Sequence, residues 1–250
     1  MNQKMLTAAL LSFPALGLAQ EAYQPRLEAQ IFLVSQTLDP AIGGATFFGG
    51  NPGDGDLSRL KGIGGSARLA LGLTDKMALH VEAGRSNPER RYSARDLEYQ
   101  VEQTQARVGL RFTAKASESP VYAAAGADFA HYQFDDKVIF GSSYTEASVG
   151  EDPALDADTQ ADSRAFRGKR KGRYGVAHLA TGYRSSAFHG YLDVGYGLGK
   201  EDDLLEFTVG TSVSLARNVE LLGEYRTTRL EDTDGDIKLN ELRLGLGVMF

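Results

Sequence analysis

The chain is predicted to be all-β, a transmembrane antiparallel up-and-down β-barrel of ten strands, with eight as the nearest other count. Three observations predict it. Segments of about ten residues recur in which bulky apolar side chains alternate with charged residues or glycine. Their connections alternate between tight turns and longer stretches rich in Gly, Asp and Ser. The chain also opens on a short apolar run and ends on a strand whose last residue is aromatic. A soluble sandwich with one covered face would show similar spacing. It would not set Arg, Glu and Gly opposite the bulky apolar face in nearly every segment.

The two ends and the composition set the limits. Residues 1–19 have the form of a secretory signal peptide: Lys4 supplies the positive start, Met5 to Leu16 the apolar stretch broken by Pro14, and Gly17-Leu18-Ala19 the small residues of a cleavage site. Cleavage is expected after Ala19. No later run offers the ~18 apolar residues of a membrane helix. A mean hydropathy of −0.28 fits a barrel, in which only alternate residues meet lipid. The absence of cysteine excludes disulfides, a thiolate nucleophile and Cys-based metal sites. A formal net charge of −6 argues against a nucleic-acid partner. The length fits a single barrel domain, residues 20–250.

Taken in order, the first strand is expected over Arg26 to Gln36, with Leu27, Ala29, Ile31 and Leu33 on one face and Glu28, Gln30 and Phe32 on the other. Asp39 to Gly65, rich in Gly, Pro and Asp, is expected as a long loop with a short strand at Ala45 to Phe48. Ser66 to Leu73 and Met77 to Arg85 form a pair of strands around Thr74-Asp75-Lys76, and Ser86 to Asp96 is a polar loop. Leu97 to Thr113 alternates clearly only in its second half, where Ala106, Val108, Leu110 and Phe112 oppose Arg107, Gly109 and Arg111. Its first half, polar on both faces, is expected to project above the membrane. Val121 to Tyr132 has small residues on both faces, and Asp128 sets its inward side. The longest loop is expected near residues 133–172, acidic from Glu151 to Asp162 and basic towards its end. Four more strands follow at Arg173 to Arg184, Ala187 to Leu198, Leu204 to Ala216 and Val219 to Arg229. Glu231 to Asp236 is a loop, and Glu241 to Phe250 the last strand. Short turns then fall at one end of the barrel and longer loops, near 37–65 and 133–172, at the other.

The last strand carries a resemblance. Leu242, Leu244, Leu246, Val248 and Phe250 share one face. This resembles the C-terminal signature of bacterial outer-membrane β-barrels, which the barrel-assembly machinery reads. With the signal peptide and the alternating strands, the chain resembles small outer-membrane barrels of the opacity-protein and OmpA-barrel type. The resemblance implies export to the outer membrane of a Gram-negative-type bacterium, contact with outer-membrane lipid and lipopolysaccharide, and a monomer. No cofactor and no metal are expected.

Inward charges fall at similar heights when strands are aligned by their short turns. Arg68, Glu82 and Arg107 lie on neighbouring strands, His178 and Asp193 face each other, and Glu224, Arg226 and Arg243 cluster near the C-terminus. Cross-strand neighbours lie about 5 Å apart, within ion-pair reach. Such groups serve either as a selectivity ring or as the paired charges that fill a small barrel. Arg68–Glu82–Arg107 and Glu224–Arg243 are expected as structural sets. The basic run Arg164, Arg167, Lys169, Arg170, Lys171 and Arg173 suits lipopolysaccharide phosphates, which guanidinium forks bind well.

Support for catalysis is thin. Ten strands match the omptin proteases in architecture, but this chain has no Asp-x-His; Asp128 and His131 are the nearest approach, at the wrong spacing. Asp232-Thr233-Asp234-Gly235-Asp236 has a calcium-loop flavour, yet its glycine comes too early and a solvated hairpin turn is the expectation. The expected function is a non-enzymatic surface protein contacting its ligands, for adhesion or envelope integrity, through long extracellular loops. A narrow porin or channel and a rim-located hydrolase stand as the other readings.

Overall fold

In a computed structural model, the structure describes residues 25–38, 59–92, 97–115, 119–140, 165–200, 202–232 and 235–250. It comprises β1 (Arg26–Leu38), β2 (Arg59–Thr74), β3 (Met77–Ser86), β4 (Glu89–Tyr92), β5 (Leu97–Lys115), β6 (Val121–Phe140), β7 (Ala165–Arg184), β8 (Phe188–Leu198), β9 (Asp203–Ala216), β10 (Val219–Asp232) and β11 (Gly235–Met249). Sequential strands pair antiparallel, and β1 pairs with both β2 and β11, closing the sheet.

β3 and β4 are two pieces of one barrel strand. Ser86↔Gln103 and Glu89↔Gln100 lie in one continuous register against β5. Pro88, which has no N–H to donate, interrupts the ladder between them. The carbonyl of Pro88 still accepts from the Val101 N–H at 2.9 Å, so only half of the pairing there is lost. The result is a closed barrel of ten strands. Closure leaves no edge in the wall at membrane depth, as lipid requires. The Phe250 N–H donates to the Pro25 carbonyl at 3.1 Å, so the C-terminus and the start of β1 meet at the short-turn end.

The side-chain pattern inverts along the barrel. In the half nearer the short turns, alternate residues such as Leu27, Leu69, Phe112, Leu192, Phe207 and Leu246 face outward as an apolar belt, while Arg, Glu, His and Gly face in. Nearer the loops the outward positions turn polar: Leu33 gives way to Ser35, Ile63 to Lys61, Ala106 to Thr104, Phe129 to His131, Tyr225 to Thr227 and Leu242 to Asn240. The inward positions at that height turn apolar, with Leu60, Val101, Tyr132, Phe134, Leu230 and Leu239 buried together. β6, at 20 residues, is about 65 Å long, roughly twice what a tilted strand of about ten residues needs to cross a bilayer. The surplus forms a second storey with the inside-out pattern of a soluble barrel.

This storey corrects several expected boundaries. Residues 59–65, 89–92, 133–140 and 165–172, expected in loops, are strand. The long connections are correspondingly shorter than 37–65 and 133–172. Glycines at 62, 64 and 65 read as loop because they break the alternation, yet they lie inside β2. A Cβ on Gly64 would come within 2.4 Å of the Phe32 ring, so the glycine makes room for an inward aromatic. The first half of β5, expected to be polar on both faces, buries Val101 in the upper core. The expected signal peptide, the short strand at 45–48 and the acidic run 151–162 lie outside the described residues.

Candidate functional site

The interior is stacked in three layers. Nearest the short turns, alternation on β6 and β8 turns Tyr122, His189 and Tyr191 inward. The Tyr122 hydroxyl lies 2.6 Å from Nε2 of His189, whose ring stacks on Tyr191. The Tyr191 hydroxyl donates to Glu224 at 2.6 Å and joins this layer to the next.

The middle layer is a charge network that crosses the bore. Arg68 on β2 reaches Glu82 at 3.1 Å on the adjacent strand, and Glu28 and Glu224 at 3.3 and 3.2 Å. Glu82 also accepts from Arg226 at 3.0 Å and from Arg243 at 2.6 Å, on β10 and β11. Glu224 lies 3.7 Å from Arg243, its ladder partner. Glu241 accepts from Arg243 as well, and Arg243, fully buried, stacks its guanidinium 4.8 Å above the Phe32 ring. The expected Arg68–Glu82 and Glu224–Arg243 contacts are therefore present. Arg107 departs from its expected set. It turns to Glu206 on β9, with contacts of 2.8 and 2.6 Å, and to the Tyr132 hydroxyl at 3.0 Å. The physical reason is supply: Glu82 already serves three guanidiniums, and Glu206 lies opposite across the bore, bonded by Arg107 and, among the described residues, by no other arginine.

Beside this cluster His178 bridges two carboxylates, with Nδ1 2.8 Å from Asp193 and Nε2 3.1 Å from Asp128. Arg111 adds contacts of 3.4 and 3.7 Å to the same two aspartates. The expected His178–Asp193 pair is thus half of a larger set. Its other members, Asp128 and Arg111, were legible as inward by parity. What parity does not give is the partner across a bore.

The top layer packs apolar side chains inside the barrel. Leu60, Tyr132 and Leu204 are each at most 1% exposed, and Tyr174, Val176, Ile237 and Leu239 pack with them. The gap among Glu82, Gln105, Arg107 and Tyr132 has no volume for a water-sized body. Above it, Arg170 donates to Asp136 at 2.8 Å and lies over the Phe134 ring. Burial pushes the Asp136 carboxyl up from its ordinary range, with Arg170 opposing the rise.

The basic run divides by parity. Arg170 points into the bore, which corrects its expected place on the lipopolysaccharide-facing surface. Lys169, Lys171 and Arg173 face out from β7, Lys169 lying 3.3 Å from Asp135. Arg167 lies on β7, with its side chain outside the described residues, as is all of Arg164. Asp128 and His131 take opposite faces of β6, so they cannot act together. Asp236 is held by Arg229 next to the last ladder pair of β10 and β11, Asp232↔Gly235, and Thr233 and Asp234 lie outside the described residues. Leu242, Leu244, Leu246, Val248 and Phe250 all lie exposed on the outer face of the C-terminal strand.

No protein-family model matches the chain, and no curated protein does. Solved structures do. The chain is similar to Neisserial surface protein A at 12% identity and a TM-score of 0.43, covering 92% of this chain and 100% of that one. It is similar to the outer membrane protease OmpT from Escherichia coli at 12% identity and a TM-score of 0.49, over 93% and 99%. The translocator domain of the autotransporter NalP from Neisseria meningitidis gives 12% identity and a TM-score of 0.48, over 99% and 96%.

Proposed function

We propose that the protein is a non-conducting, non-enzymatic outer-membrane barrel that presents a rigid storey and its loops at the cell surface. The observation that carries this is the filled bore. A selectivity ring needs water on both sides of its charges. Here the charges are paired side chain to side chain, with an apolar core over them. The outward apolar belt on all ten strands supports a place in a bilayer. The short turns and both ends of the described chain lie together, the arrangement of a barrel with its ends in the periplasm.

The hydrolase reading has little to stand on. Among the described residues, the His–carboxylate group Asp128–His178–Asp193 sits deep in the bore, where His178 is 2% exposed. A rim enzyme needs such groups where substrate reaches them.

Lys171 and Arg173 sit just above the apolar belt. Their height and charge support contact with the phosphates of lipopolysaccharide in the outer leaflet. The monomeric state, targeting to the assembly machinery and a ligand held by the loops complete the proposal.

The test is single-channel recording of the refolded chain in a planar bilayer, with a heat-modifiability gel to establish folding. Folded protein that gives no steady conductance supports the closed reading. Steady conductance by folded protein overturns it in favour of a channel. Lipopolysaccharide co-purifying undiminished with Lys171→Gln/Arg173→Gln protein would remove the lipid contact.

A further inference from the structure

We infer that the upper part of β7 is a docking edge for an extended acidic peptide, which adds to the barrel wall as an extra strand. This goes beyond the surface role proposed above and names one contact through which it is exercised.

The strands of the wall reach unequal heights. The β6–β7 ladder runs without a break from Val121↔Tyr183 to Ile139↔Ala165. The β7–β8 ladder starts only at Gly175↔Leu198, because β8 ends at Leu198 and the chain turns back into β9 at Asp203. Among the described residues, β7 from 165 to 174 therefore has a ladder partner on one side only. The wall formed by the described residues carries a notch above the β8–β9 turn, and β7 forms one side of it.

Two contacts show which backbone groups face the notch. The Gly172 carbonyl lies 3.2 Å from Nδ1 of His131, on the β6 side. The Arg173 carbonyl lies on the opposite side, 3.2 Å from where a Cβ on Gly199 would stand, just past the end of β8. Successive residues of an antiparallel strand turn their N–H and C=O to alternate sides. The main-chain groups of Ala165, Arg167, Lys169 and Lys171 thus point along the wall into the notch. A row of unpaired main-chain donors and acceptors is a template for strand addition.

Charge decides the occupant. The side chains of Lys169, Lys171 and Arg173 stand on the outer face of this edge. Residues directly opposite on a paired strand bring their Cβ atoms to about 4.5–5.5 Å, so like charges there repel and opposite charges attract. A second copy of this chain would place the same cations against one another. A peptide with Asp or Glu at alternate positions would place carboxylates beside all three. Its intervening residues would face inward, towards Tyr174 and Arg170.

The experiment uses the refolded full chain in zwitterionic detergent micelles and a fluorescent peptide of Glu-Val repeats, with a Lys-Val peptide as control. Saturable binding of the acidic peptide alone is expected, with slowed amide hydrogen exchange at Lys169 and Lys171. Lys171→Pro is the deciding variant. It removes an N–H that faces the notch rather than β6, so the β6–β7 ladder stays whole, as proline on an exposed edge allows. Binding should weaken about ten-fold or more in Lys171→Pro and vanish in Lys169→Glu/Lys171→Glu/Arg173→Glu, with heat-modifiability unchanged in both. No saturable binding to folded protein overturns the inference. So does binding that is lost on charge reversal but unchanged in Lys171→Pro. That result identifies a plain charge contact, of the kind lipid phosphates make.

Discussion

Neutralising Glu82 is the sharpest probe of the charge layer. Its two oxygens accept from Arg68, Arg226 and Arg243, and its side chain is only 7% exposed; those of Arg226 and Arg243 are 5% and 0% exposed. Glu82→Gln keeps the shape but turns one acceptor into an amide donor facing guanidiniums that also only donate. Breaking a buried ion pair by removing one partner costs about 3–5 kcal/mol. Glu224 and Glu241 still neutralise part of the cluster, which favours the lower end. At about 2–4 °C per kcal/mol for a chain of this size, the melting point should fall by roughly 6–20 °C. The assay is loss of the fast-migrating form in a heat-modifiability gel, read beside far-ultraviolet circular dichroism. The double variant Glu82→Met/Arg226→Met should lose less than Glu82→Met alone, because it removes the stranded charge together with its partner. A Glu82→Gln protein melting within about a degree of wild type would refute the view that these pairs hold the barrel together.

Three further outcomes follow from the packing. Gly109→Ala should destabilise strongly, since its Cβ would lie 2.5 Å from the Ala127 carbonyl and closer still to Asp128, whereas Gly175→Ala, with nothing within 4 Å, should be neutral or slightly stabilising in the same melts. Tyr132→Ala should cost about 3–5 kcal/mol for its cavity, more with the lost Arg107 bond, while Gln133→Ala, one position along β6 and facing out, should stay within about 0.5 kcal/mol. Deleting Phe250, which is 67% exposed, should leave the refolded barrel's melting point nearly unchanged but sharply lower the amount assembled in cells. Equal assembly with and without Phe250 would show that it is not read as a targeting signal.

The alternation of the strands by itself determined the barrel, the number of its strands and which residues point inward in the half nearer the short turns. Period two admits only one face assignment once a charged or bulky residue fixes it, as Asp128 does for β6 and Phe112 for β5. The inward charges were legible for the same reason, and so were the Arg68–Glu82 and Glu224–Arg243 contacts, which join neighbouring strands. What only the tertiary structure decided is whatever depends on closure. Arg107 meets Glu206, and Arg226 meets Glu82, across a bore that brings together residues 99 and 144 positions apart. The upper storey escaped the sequence because its alternation has the opposite sign. Gln133, Asp135, Lys169 and Lys171 face outward there while Phe134 is buried inside, which resembles a loop when lipid-facing strands are sought. Arg170 and Lys171 look alike as a basic run, yet they stand on opposite faces of β7. One pairs with Asp136 inside the barrel, and the other faces the surroundings, because adjacent residues in a strand cannot share a side.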